Sequence, residues 1–134
     1  MRHSILIVDD ERLMTDPYIR ALQRKQFHVE HCLTVDCAIK KIITENASFS
    51  LVILDVMMPP GEAFAKENTL EGLLTGVFLF QKLRKERPNL PFIVLTNVVH
   101  QETLDRFSSD LNVEVIHKTE CPPFDLVDRV ASRV

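Results

Sequence analysis

Four short apolar runs, each closed by a polar group, constrain this chain more than any other feature. Ile5-Leu6-Ile7-Val8 runs into Asp9-Asp10, Leu51-Val52-Ile53-Leu54 into Asp55, and Phe92-Ile93-Val94-Leu95 into Thr96. A fourth run, Val113-Glu114-Val115-Ile116-His117, leads into Lys118. Near-continuous apolar runs of this length read as strands buried on both faces, the habit of parallel sheets. Parallel strands end at a common edge, and open α/β sheets hold their ligands there. The pattern therefore gathers carboxylates, a hydroxyl and an ammonium at one place, a set suited to a metal and a phosphoryl group.

The intervening segments read as helices. Asp16-Pro17 has the form of an N-cap followed by proline at the first helical position, with the helix running to about Lys25. A polar strand from about Phe27 to Leu33 suits a sheet edge. Thr34 can cap a helix in which Val35, Ala38, Ile39, Ile42 and Ile43 share one face. A third helix spans about Gly76 to Glu86, with Val77, Phe80 and Leu83 inward and Pro88 as its stop. Leu104, Phe107, Ser108 and Leu111 give a fourth stripe. Pro122-Pro123 opens a last helix carrying Phe124, Val127, Val130, Ala131 and Val134. Five βα units with right-handed crossovers predict an α/β fold, a three-layer, doubly wound parallel sheet of five strands.

The 134 residues fit one domain, 1–134. The net charge of −3 and the lack of a Lys/Arg block argue against direct nucleic-acid binding. No signal peptide is evident, and no apolar run reaches the roughly 18 residues of a membrane span. A cytoplasmic protein without a membrane partner is expected. Cys32, Cys37 and Cys121 are odd in number and lack CxxC spacing, which indicates neither a disulfide framework nor a zinc site. His28, His31 and Cys32 read as strand residues rather than ligands, because neighbours along a strand point apart.

One stretch breaks the βα rhythm. From Pro59 to Thr75 the chain carries Pro-Pro-Gly and two short mixed segments, where connections of this kind need only about two to six residues. It leaves Asp55 after a few residues and so lies beside the polar edge. Two readings stand: a tolerated surface insertion at about 60–75, or a lid or partner-specific docking element.

The polar set has a coherent chemistry. Asp9, Asp10 and Asp55 would crowd three negative charges, which a hard divalent cation neutralises; Mg²⁺ binds a few carboxylates and keeps waters. Lys118 adds a point charge and Thr96 a hydroxyl donor. A carboxylate can attack phosphorus to give an aspartyl phosphate. Phosphoryl transfer asks mainly for positioning and charge stabilisation.

Ile5 to Glu11 (ILIVDDE), Leu51 to Pro59 (LVILDVMMP), Val94-Leu95-Thr96 and Lys118 together resemble the receiver domain of two-component response regulators. The likeness spans the chain apart from the insertion and implies a flavodoxin-like strand order, 2-1-3-4-5. It implies Asp55 as phosphoacceptor, Asp10 as a direct Mg²⁺ ligand and Asp9 as a mostly water-mediated one. Met57 stands where the family supplies a backbone carbonyl to the metal, and Thr96 and Lys118 where it binds phosphoryl oxygens. The implied donor is a phosphohistidine on a sensor histidine kinase or a histidine phosphotransfer protein. The signal would pass to an output domain or effector protein through the fourth and fifth helices, although the chain ends about one helix after Lys118.

Several positions depart from the family pattern. Val115 replaces an aromatic switch residue, Thr119 a proline that follows the lysine, and Asn97 a small residue after the threonine. Thr75-Gly76 resumes the alignment after the insertion. Met57 and Val98 are apolar where the family tunes water access, which implies a long-lived phosphorylated state. An alternative reading is a phosphorylation-independent receiver-like interaction module using the insertion and these departures. A hydrolase turning over the aspartyl intermediate is disfavoured, because Met57 stands where an acid/base residue is needed.

Overall fold

Residues 2–98 and 100–134 are described by a computed structural model. Five strands form one parallel sheet in the order β2-β1-β3-β4-β5. They are β1 (Ser4–Val8), β2 (His28–Cys32), β3 (Leu51–Leu54), β4 (Phe92–Thr96) and β5 (Val113–His117). The helices are α1 (Arg12–Arg24), α2 (Val35–Ile39, continued by a π-helical turn at Lys40–Thr44), α3 (Thr75–Glu86), α4 (Gln101–Leu104) and α5 (Pro123–Ala131). The expected fold class and strand order are those observed.

Side-chain alternation along the strands divides the interior into two layers. Leu6, Val8, Val52, Leu54, Phe92 and Val94 face the layer shared with α2, α3 and α4. Ile5, Ile7, Leu51, Ile53, Ile93 and Leu95 face α1 and α5, where Leu22, Leu126 and Val130 meet them. The three central strands are buried on both faces, which is why they read as unbroken apolar runs. The edge strand β2 keeps exposed His28 and half-buried Glu30 and His31. The other edge is β5, where only Ile116 is buried; the expectation of burial on both faces fails there because β4 is its one neighbour in the sheet.

Four further expectations need correction. Helix α1 begins at Arg12, a full turn before Pro17, which lies inside it. The Asp9 carboxylate accepts the Glu11 N–H at 2.9 Å and Thr15 donates to the Glu11 carbonyl at 2.7 Å, so the first turn is secured upstream of the proline. The carbonyl left without a helical partner by Pro17 belongs to Leu13, an exposed residue. The fourth helix is one turn plus a 3₁₀ turn (Asp105–Phe107); Leu104 and Phe107 are buried, but Leu111 is fully exposed. There Asp110 accepts the Asn112 N–H and pairs with Arg84, which ends the helix before Leu111 can join the stripe. In α5, Val127 and Val130 point inward, whereas Phe124 and Ala131 are exposed; Val134, also exposed, lies beyond the helix. Finally, Cys32 and Cys37 form a disulfide. The tight link from the end of β2 into the first turn of α2 brings their Cα atoms to 5.5 Å, a proximity invisible in a cysteine count.

Candidate functional site

The carboxyl edge of the sheet brings the polar groups together. Asp9 and Asp55 directly follow β1 and β3, whose last residues, Val8 and Leu54, are register partners. The ladder continues through them: the Asp55 N–H donates to Val8 O at 3.0 Å and the Asp9 N–H to Cys32 O at 3.1 Å. Each carboxylate is also held by a nearby amide, Asp9 Oδ1 by Glu11 N–H (2.9 Å) and Asp55 Oδ1 by Val56 N–H (2.7 Å). Both side chains are buried, while Asp10 is exposed beside them.

Lys118, the first residue after β5, spans the pair. Its Nζ lies 2.8 Å from Asp9 Oδ2 and 3.0 Å from Asp55 Oδ2. Burial alone would pull this ammonium down, but hydrogen bonds and charge from Asp9 and Asp55 outweigh it and hold the pKa above the ordinary lysine range. Thr96 closes β4 fully buried, its Oγ1 accepting the Val98 N–H at 3.1 Å. One oxygen from each of Asp9, Asp10 and Asp55 lies within 4.8 Å of the others. Hard oxygen donors open to solvent on the Asp10 side fit Mg²⁺, which favours a few carboxylates and retained waters.

The family model for the response regulator receiver domain matches residues 5–131. The chain belongs to that family. A CheY-like receiver domain protein from Methanospirillum hungatei is 25% identical, with a TM-score of 0.79 over 98% of this chain and 93% of that one. The response regulator TrrA from Thermotoga maritima, solved in complex with Mg²⁺-BeF, is 24% identical with a TM-score of 0.72 and full coverage of both chains. The chemotaxis protein CheY4 of Vibrio cholerae is 20% identical at a TM-score of 0.77, again with 100% coverage of both. No curated protein matches the chain.

In this receiver domain the connection between β3 and α3 builds a wall over the acidic pocket. Asp36 at the start of α2 accepts the N–H groups of Glu62 and Ala63, each at 2.9 Å, and Phe64 packs 5.9 Å from Phe78. Leu70, Glu71 and Gly72 all have positive φ, and the Gly72 carbonyl accepts from Met58 N–H at 3.2 Å. A Cβ on Gly72 would lie 2.7 Å from Met58 O, so this close pairing with Met58 requires glycine. Between this wall and the β4–α4 connection runs a groove of about 830 Å³, lined by Asp10, Met57, Glu71, Leu73, Val98 and Asp55.

All six residues expected at the site reach the carboxyl edge. Lys118 touches both Asp9 and Asp55, Asp10 joins the carboxylate cluster, and Asp10, Asp55, Met57 and Thr96 line the groove. Three further residues, outside the sequence expectation, support this place. Tyr18 Oη donates to Cys121 O at 2.7 Å, tying α1 to the turn that follows Lys118. His31 Nε2 lies 2.8 Å from Asp9 O. Gly76 lets α3 approach so closely that a Cβ there would sit 2.3 Å from Asp55 O. Only Gly76 carried a signal, as the point where the family alignment resumes.

Proposed function

We propose that this receiver domain accepts a phosphoryl group from a phosphohistidine onto Asp55 with the aid of Mg²⁺ and relays it by conformational change. The observation that carries the reading is the contact of one buried ammonium, Lys118, with both Asp9 and Asp55. An Asp55 oxygen attacks phosphorus; the new P–O bond forms as the P–N bond to the donor imidazole breaks, and the imidazole takes up a proton. Lys118 is close enough to follow the charge from the Asp55 carboxylate to the phosphoryl oxygens. Thr96 Oγ1 accepts from Val98, which leaves its own proton free to donate to the phosphoryl group. Asp9, Asp10, Asp55 and the Met57 carbonyl would hold Mg²⁺, which supplies charge neutralisation when bound.

The proposed donor is a sensor histidine kinase or histidine phosphotransfer protein, and the proposed recipient an output domain or effector protein. A single domain, 1–134, acting in the cytoplasm completes this reading, with residues 60–75 as an insertion that shapes the donor's approach. Buried Val98 and exposed Met57 both line the groove over Asp55, and neither can position an attacking water. The aspartyl phosphate is accordingly long-lived. Met57→Asn and Val98→Glu are expected to shorten its half-life several-fold, measured by loss of the phosphate mass over time. Unchanged decay in both variants would remove this part of the reading.

A further inference from the structure

We propose that Cys32 and Cys37 are a reversible dithiol–disulfide pair whose oxidised state locks the wall of the groove over Asp55. Cys32 is the last residue of β2 and fully buried; Cys37 lies in the first turn of α2 and is partly exposed. Their 5.5 Å Cα separation lets the bond form without moving the backbone. Two further contacts connect the pair to the acidic edge. The Cys32 carbonyl accepts the Asp9 N–H at 3.1 Å, on one side. On the other, Asp36, which precedes Cys37, receives the Glu62 and Ala63 amides that start the wall.

Asp36 is held from both directions when the bond is closed. Thr34 Oγ1 accepts the Cys37 N–H at 3.2 Å, and the disulfide ties the same turn covalently to the sheet. Gly61 packs so tightly on Asp36 that a Cβ there would approach its Oδ2 to 2.3 Å. A shift of this turn therefore reaches the wall directly. Disulfides in a reducing compartment are usually transient and redox-sensing.

The exchange is balanced with a dithiol reductant. Its thiolate attacks Cys37 sulfur, the more accessible of the two; the S–S bond breaks and Cys32 leaves as a thiolate that takes a proton. The reductant's second thiol then displaces Cys37 and closes an oxidised cyclic disulfide. Two electrons and two protons pass to the pair. Oxidised glutathione reverses the change and leaves as two molecules of glutathione.

The importance of the wall for signalling rests on the proposed phosphoacceptor role; the redox clamp itself does not. The test compares the full chain under dithiothreitol and under oxidised glutathione. Thiol alkylation after denaturation should label Cys121 alone in the oxidised protein and all three cysteines in the reduced one. Amide exchange at Glu62 and Ala63 should be at least about threefold faster in the reduced protein, the mark of local opening. Cys37→Ser should show the fast value under both treatments. Full labelling after oxidation, or equal exchange in both states of the unmodified chain, overturns the proposal. Asp55 labelling by acetyl phosphate is followed in parallel, and its failure in both states refutes the phosphoacceptor reading alone.

Discussion

Lys118 shows how one side chain makes an acidic edge foldable. Asp9 and Asp55 are buried side by side, and its ammonium contacts both. Replacing it by methionine leaves two buried carboxylates unpaired and is expected to cost about 3–5 kcal/mol in metal-free chemical denaturation. Added Mg²⁺ should restore part of that loss. The folded pKa lies above the ordinary value of 10.5, so the pairing's stabilisation is fully present below about 10.5 and fades as pH rises beyond it. Alkaline denaturation should start later in pH for the native chain than for the methionine variant. Thr75 presents the opposite case: its Oγ1 is buried without a hydrogen-bond partner among the described residues. Thr75→Val should therefore leave stability unchanged or raise it by about 1 kcal/mol, as read from the denaturation midpoint.

At the scale of elements, α3 is placed by the residue that has no side chain. The Gly76 N–H donates to Val56 O at 2.7 Å, and a Cβ there would meet the backbone of both Asp55 and Val56. Gly76→Ala is expected to destabilise the fold by about 3 kcal/mol, since backbone cannot yield as a side-chain end would. The short α4 gives a second contrast. Phe107 is buried against Phe80 at 5.2 Å, whereas Leu111 lies beyond the helix in solvent. Phe107→Ala should cost about 3–5 kcal/mol and Leu111→Ser should stay within about 0.5 kcal/mol in equilibrium unfolding. A helix continuing through Leu111 would make both costly.

Across the molecule, what was legible followed from burial on two faces. Strands β1, β3 and β4 could be read that way and β5 from a weaker apolar pattern at a half-buried edge, and their common direction placed Asp9, Asp55, Thr96 and Lys118 together. Local propensity failed where another part of the fold decides. Pro17 resembles a helix start, yet the Asp9 side chain secures that start a turn earlier. The Cys32–Cys37 bond depends on how α2 leaves β2, and the wall over Asp55 depends on the Asp36 carboxylate 26 and 27 residues away from its amides. Such contacts have no periodicity to betray them.

Phosphoacceptance at Asp55 is tested most directly by intact mass after incubation with Mg²⁺ and acetyl phosphate. A gain of one phosphate is predicted for the native chain, absent in Asp55→Asn and without Mg²⁺. No gain in the native chain, or an equal gain in the Asp55→Asn variant, would contradict it.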